Sequence, residues 1–237
     1  GRVPAGPAPG RLPSLIVANE GQADARAVYY IAGRDRAVFF RRGGLSIVLS
    51  GASRWTVGLE FVGADPAVLP IGANQARAVL SFFKGGRDEW RTGVPTYSNL
   101  AYQDLWPGID LVYEAGGDQL KYEFVVGPGA DQSAIGLGYR GASRVSLLDG
   151  GRVLVETPAG SFEDAAPVAY QEKEGRRVPV AAAFALEGTT CRFALGEYDP
   201  ALPLVIDPAI IIYAGYVGGA ADDRGTGIAR DAAGNVY

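Results

Sequence analysis

NLAYQDLWPGIDLVYEAGGDQLKYEFVVG, residues 99–127, carries the densest strand signal in the chain. Ile109, Leu111 and Tyr113 alternate with Asp110, Val112 and Glu114. After Gly116, Gly117 and Asp118 the alternation resumes, with Leu120, Tyr122, Phe124 and Val126 set against Lys121 and Glu123. Successive side chains on a strand point to opposite faces. Period-two alternation on both sides of a glycine-rich turn therefore spells a β-hairpin with one buried face. Pro107-Gly108 can extend neither a strand nor a helix and marks the turn ahead of it. Trp106, beside that turn, is expected in the core or at a hinge, because large aromatics bury well; stacking on a ligand is the alternative.

The same pattern repeats outward. Strands are expected at 27–32 and 37–40, then at Leu45, Ile47 and Leu49 after the Gly43-Gly44 turn, and at Trp55, Val57, Leu59 and Phe61. A short strand is expected at 78–83. Val145 and Leu147 pair with Val153 and Val155 across Asp149-Gly150-Gly151, a strong hairpin signal. Val178, Val180, Ala182, Phe184 and Leu186 read as one long alternating run, turning at 187–189 and returning through Cys191, Phe193 and Leu195. Helix signals are thin: one turn after the N-cap candidate Asp131 at 132–136, and another beginning at 74–80. The expectation is an all-β chain of antiparallel, sandwich-like sheets, with an internal division near 127–142.

Both ends differ from this middle. Residues 1–13, GRVPAGPAPGRLP, have no periodicity and read as an extended leader or linker. LPLVIDPAIIIY, residues 202–213, is an almost unbroken apolar run, either a strand buried on both faces or one that needs a partner surface. Beyond it the chain turns to Gly, Asp and Asn, so a boundary is expected near Pro208, between a domain at 14–208 and a segment at 209–237.

Composition narrows the chemistry. A length of 237 residues allows one large or two small domains. With 34 Gly and 15 Pro spread as punctuation, many short strands joined by tight turns are expected. A net charge of −4 argues against nucleic acid or an anionic membrane as the main partner. The absence of His removes Ser-His-Asp and Cys-His catalysis and His-ligated zinc. The single Cys, Cys191, has no internal disulfide partner and alternates with Phe193 and Leu195 as a core residue would. No apolar run approaches the roughly 18 residues of a transmembrane helix. The chain starts at Gly1 and contains no Met; either processing, such as loss of a signal peptide, or a chosen starting point within a longer chain accounts for this.

Five ordered blocks resemble one bacterial family: ANEGQ (18–22), WRTGVPTYSNLAYQDLWPGIDLVYE (90–114), LKYEFVVGPGAD (120–131), PVAYQE (167–172) and PLVIDP (203–208). Together they resemble the N-terminal β-rich domain of unknown function that precedes SBBP-type β-propeller repeats in secreted bacterial proteins. The tail from Tyr213 to Tyr237 resembles the first strands of such a repeat. The resemblance implies a secreted, periplasmic or surface-attached protein and supplies no catalytic residues and no cofactor. A propeller closes with roughly 4–8 blades, so either further blades follow or these strands serve another purpose.

Several residue groups invite a functional role. Asp222, Asp223 and Asp231, with Asn235, offer oxygen donors at turns that would suit calcium, but the spacing is not that of an EF-hand loop. Capping of hairpin turns is the preferred account. Asp110, Glu114 and Glu123 could supply the paired carboxylates of a glycosidase, although the alternation places them on the hairpin's solvent face. The pairs Tyr29-Tyr30, Phe39-Phe40 and Phe82-Phe83 must each send one ring away from the local core, toward a second sheet or toward a protein or glycan. Arg34, Arg36, Arg41 and Arg42 read as a solvated rim, with an anion site as the alternative. Leu204, Val205, Ile206, Ile210, Ile211, Ile212, Tyr213 and Tyr216 are the expected partner-binding strand, because an uncovered apolar strand recruits other chains. The leading expectation is a non-enzymatic structural or interaction module, engaging protein partners or copies of itself. A carboxylate-dependent carbohydrate-active or other hydrolytic domain is the alternative.

Overall fold

A computed structural model describes residues 15–32, 36–50, 53–116 and 119–211. These residues are all-β. The strands are β1 (Ile16–Ala18), β2 (Ala27–Ala32), β3 (Arg36–Arg41), β4 (Gly44–Ser50), β5 (Arg54–Phe61), β6 (Ile71–Phe82), β7 (Arg91–Trp106), β8 (Ile109–Gly116) and β9 (Gln119–Val126). They are followed by β10 (Leu137–Arg140), β11 (Arg144–Leu147), β12 (Val153–Thr157), β13 (Gly160–Asp164) and β14 (Val168–Lys173). The series ends with β15 (Arg176–Val180), β16 (Ala182–Glu187), β17 (Thr190–Leu195), β18 (Leu204–Asp207) and β19 (Ala209–Ile211). Single 3-10 turns occur at Arg87–Glu89 and Gln132–Ala134, the second capped by the Asp131 carboxylate, which accepts from Ser133 N at 3.0 Å. Among the described residues no helix is long and apolar enough to cross a membrane.

Every described pairing is antiparallel, and the pairings form one connected ladder. It runs β16–β17–β10–β5–β4–β3–β2–β1–β7–β8–β9. At β9 it forks. Phe124, Val125 and Val126 pair with β18, which continues to β14 and β15. Gln119, Leu120 and Lys121 pair with β19, which continues to β13, β12 and β11.

The β8–β9 hairpin is the centre of this arrangement. Leu111 pairs with Phe124 and Tyr113 with Tyr122, and Ile109, Leu111, Tyr113 and Phe124 have no exposed surface. Each such apolar side chain contributes roughly 1.5–3 kcal/mol on burial. Trp106 is 1% exposed, donates its indole N–H to Val62 O at 3.0 Å, and packs edge-on against Phe61. A line of ring contacts runs from Phe40 through Tyr113, Tyr122 and Phe124 to Phe193. One hydrophobic cluster takes residues from both sides of 127–142, and β10 pairs with β5, so the expected internal division does not interrupt the core.

Two local expectations need correction. The helical start at 74–80 is part of β6: β7 offers a row of backbone partners, and Asn74 enters a bulge with φ of 54°. The run at 178–186 is two strands, because the chain changes partner at Ala181, leaving β14 for β17. Pairing also continues past Pro208, since β19 docks on β9 and β13.

β6 and the first part of β7 form a long arm. β7 has β1 and β8 along one edge and β6 along the other, and β6 has no second partner among the described residues. Ile71, Val79, Leu80, Phe83 and Trp90 are exposed on this arm, with Phe83 and Trp90 edge to face at 5.1 Å and Arg87 above the Trp90 ring. Its base is held by a small second cluster of Val17, Tyr30 and Val94.

Candidate functional site

The strongest candidate is an arginine-lined groove on the outer face of β3–β5. Val38 and Phe40, Leu45 and Ile47, and Val57 and Leu59 face the core, so their neighbours face outward. The registers bring those neighbours together: Phe39 lies opposite Ser46, Ser46 opposite Gly58, and Arg140 of β10 opposite Gly58 from the other side. The resulting groove has a volume of about 590 Å³. Val48, Thr56 and Gly58 contribute to its floor, Asp24 and Arg26 form one wall, and Arg140 and Gly141 form the other. Gly58 keeps the floor low: a Cβ there would lie 3.3 Å from the Arg41 guanidinium and 3.8 Å from Arg140 Cβ.

Four arginines, Arg26, Arg41, Arg54 and Arg140, line this groove against two acids, Asp24 and Glu60, giving a local charge of about +2 in a chain of net −4. Arg26 grips Asp24 with two bonds, at 2.7 and 3.0 Å, and this guanidinium holds the Asp24 carboxyl well below the usual range. Arg140 reaches Glu60 at 3.4 Å. Arg41 is half-buried and donates from Nε to Ser46 Oγ at 3.3 Å. Among the described residues no carboxylate pairs with Arg41 or Arg54. Two guanidinium forks are thus available for an anion, with hydroxyls and paired carboxylates beside them.

Both walls are braced. Asn19 folds the loop between β1 and β2 around its side chain. Its amide donates to Asp24 O and Ala27 O, each at 2.8 Å, while its Oδ1 accepts from Gly21 N and Ala23 N. Gln22 donates to Ala18 O at 2.6 Å, and Arg91 donates to Glu20 O at 2.7 Å. ANEGQ is therefore the frame of the Asp24–Arg26 wall. On the opposite side Trp55 donates its indole N–H to Gly141 O at 2.7 Å.

Of the basic residues singled out in the sequence, only Arg41 enters the groove. Arg42 donates to Pro66 O at 3.2 Å, Arg36 shares the inward face of β3 with Val38, and Arg34 lies outside the described residues. Arg26, Arg54 and Arg140 were not grouped with it, because they come from segments that only the β5–β10 pairing and the β1–β2 loop bring together. The outward register of Arg54, Thr56 and Glu60 on β5 was the available signal.

The carboxylates separate into two roles. Asp110 accepts from Asp104 N at 2.7 Å, and Asp104 in turn accepts from Gly108 N at 2.6 Å, so Asp110 braces the bulge of β7 before Trp106. Glu114 and Glu123 sit on the outer face of the hairpin and share a shallow depression with Asp207, Lys121 and Asn99. Burial, and then the charges of Asp207 and Glu114, push the Glu123 carboxyl up. Among the described residues no group of His, Cys, Asp and Glu is placed to hold a metal ion.

A buried polar cluster went unremarked in the sequence. Asp164, at the end of β13 and fully buried, accepts from the Tyr122 hydroxyl at 2.6 Å and the Tyr139 hydroxyl at 2.8 Å, both on Oδ2. Its Oδ1 and the buried Tyr113 hydroxyl have no hydrogen-bond partner among the described residues. Burial pushes the Asp164 carboxyl up to about 6, the two hydroxyl bonds partly opposing it. The free thiol of Cys191 is also buried and pushed up to about 12.

The apolar C-terminal stretch is partnered within the domain. Leu204, Ile206 and Ile210 are at most 1% exposed and belong to the central core, while half-buried Val205 pairs with Val125 and Tyr170. Neither sequence expectation describes 204–207 as it stands: burial alternates, with Leu204 and Ile206 inward, Val205 half-buried and Asp207 exposed. Ile211 pairs through its backbone with Gln119 and Glu163. Ile212, Tyr213 and Tyr216, and the calcium candidates Asp222, Asp223 and Asp231, lie outside the described residues.

A family model described as a domain of unknown function, DUF7948, matches residues 16–209. No curated protein and no solved structure matches the chain significantly. The matched segment holds every described strand except the end of β19, and the chain belongs to the DUF7948 family.

Proposed function

We propose that this DUF7948 chain is a non-enzymatic, secreted or surface-held structural module, a base from which an SBBP-type repeat beginning near Ala209 is mounted. The observation that carries this reading is the double clamp on β18 and β19. Each is hydrogen-bonded along both edges, and Ile206 and Ile210 have no exposed surface. Whatever follows residue 211 therefore leaves from a strand paired on both edges rather than from a loose end. The β6–β7 arm supports the adaptor aspect, since an exposed apolar strand with a free edge is a surface that other protein chains can cover. Hydrogen exchange of the intact chain tests the base role. Amides of 204–211 are expected among the slowest to exchange; exchange at the rate of the surface loops would remove the support for it.

A second reading, hydrolysis through carboxylates, is favoured by Glu123, whose raised carboxyl beside Glu114 and Asp207 has the character of a general acid. Turnover of a glycan panel that disappears in Glu123→Gln would establish it. Turnover that survives this substitution, or no turnover at all, would dispose of it.

A further inference from the structure

We propose that the arginine groove binds an acidic oligosaccharide, with uronate carboxylates on Arg41 and Arg54 and sugar hydroxyls on Asp24, Glu60, Ser46 and Thr56. This goes beyond the base role and does not depend on it. A volume of about 590 Å³ falls within the range of ligand clefts and suits a few sugar rings. The chemistry of the lining separates the possible occupants. Unpaired guanidinium forks match carboxylates, which bind them through two parallel bonds. Asp24 and Glu60 also line the groove, so a densely charged polyanion would have to seat some of its charges beside carboxylates. A chain that spaces its carboxylates among hydroxyls avoids this, because each hydroxyl can donate to a carboxylate and accept from a guanidinium.

The floor argues against a peptide. An extended peptide gains affinity by bonding its backbone to a free strand edge. Here β3 is flanked by β2 and β4, β4 by β3 and β5, and β5 by β4 and β10, so no floor strand has an edge to offer. Recognition must come from side chains alone. The half-buried Phe39 ring, stacked on Tyr30 at 6.0 Å, adds an apolar surface for the face of a sugar ring. The walls are set in advance by the Asn19 frame and by the Trp55–Gly141 bond, which lowers the ordering cost of binding.

The test is calorimetric titration of the intact chain with oligomers of galacturonate, glucuronate and mannuronate, their methyl esters, and poly-glutamate. At least one free acid is expected to bind, and its ester, which keeps the hydroxyls but loses the charge, roughly tenfold more weakly or worse. Arg41→Gln and Arg54→Gln should each weaken binding by a similar factor. Arg177→Gln, which removes a cation lying over Tyr170 elsewhere on the surface, should leave it unchanged. Arg54 is exposed, so its variant keeps the fold even if the half-buried Arg41 does not tolerate change. Failure of all three acids to bind would overturn the proposal. So would equal affinity for an ester, insensitivity to Arg54→Gln, or tighter binding of poly-glutamate, which would assign the groove to a protein ligand.

Discussion

Replacing Asp164 by asparagine is expected to stabilise the chain at neutral pH and to have little effect near pH 4. Burial favours the neutral carboxyl, so the folded chain keeps a proton that the unfolded chain gives up at the ordinary value of 3.8. The stabilisation from this retained proton is complete below about pH 3.8, fades as the pH rises, and is gone above about 6. The interval is close to two pH units, each worth about 1.4 kcal/mol, so the charged carboxylate costs about 3 kcal/mol at neutral pH. The carboxamide of Asp164→Asn would keep one oxygen for the Tyr122 and Tyr139 hydroxyls and never charge. Its amino group would replace the unpartnered Oδ1. Urea unfolding of both proteins from about pH 4 to about pH 8 measures this, because groups common to both cancel in the difference. A gap that opens by about 3 kcal/mol across that range is expected. A gap that stays constant would refute a titrating Asp164.

Cys191 should resist thiol reagents in the folded chain and react at once after unfolding, because its buried thiol is pushed up to about 12; fast labelling of native protein would contradict its burial. Gly44 has φ of 154° and an added Cβ would overlap the Leu59 carbonyl, so Gly44→Ala should cost about 2–3 kcal/mol by thermal or urea unfolding. Gly43→Ala, with a left-handed backbone but open space, should cost about 1 kcal/mol, and equal costs would rule out the overlap as the cause. Asn19→Ala removes the hub of the loop between β1 and β2 and should cost about 2 kcal/mol. It should also speed hydrogen exchange at 20–26, and unchanged exchange there would show that the loop is held by something else.

Much of the strand content was legible because alternation records burial directly. Leu45, Ile47, Val57, Leu59, Leu111 and Phe124 all read as inward-facing and all have no exposed surface. The hairpin joining Val145 and Leu147 to Val153 and Val155 was readable from its Asp149-Gly150-Gly151 turn, while its register, Val145 on Val155 and Leu147 on Val153, came from the fold. Strand partners distant in sequence were not legible. Nothing local tells β9 that it will pair with β18 and β19, or β5 that it will meet β10, so the fork and the arginine groove stayed hidden. Asp164 escaped notice because an acidic residue before Ala165-Ala166-Pro167 looks like a turn. Its place two residues after buried Phe162, on the same face, was the clue. Ile206 and Ile210 show the converse: apolar density correctly signalled burial, but density alone does not say which surface does the burying.

The fork at β9 also has a consequence for how the chain acquires its structure. Val126 finds its neighbour in Leu204, and Leu120 finds Ile210, so the central hairpin remains open-edged until the last part of the domain has been made. Closing such distant pairs is slow, since loop entropy is lost before any contact repays it. A growing chain that has not yet produced 204–211 presents Phe124 and Val126 on an unzipped edge, the state in which β-proteins are most prone to misassociate. The domain's final strands are therefore the ones that close the open edge of the central hairpin.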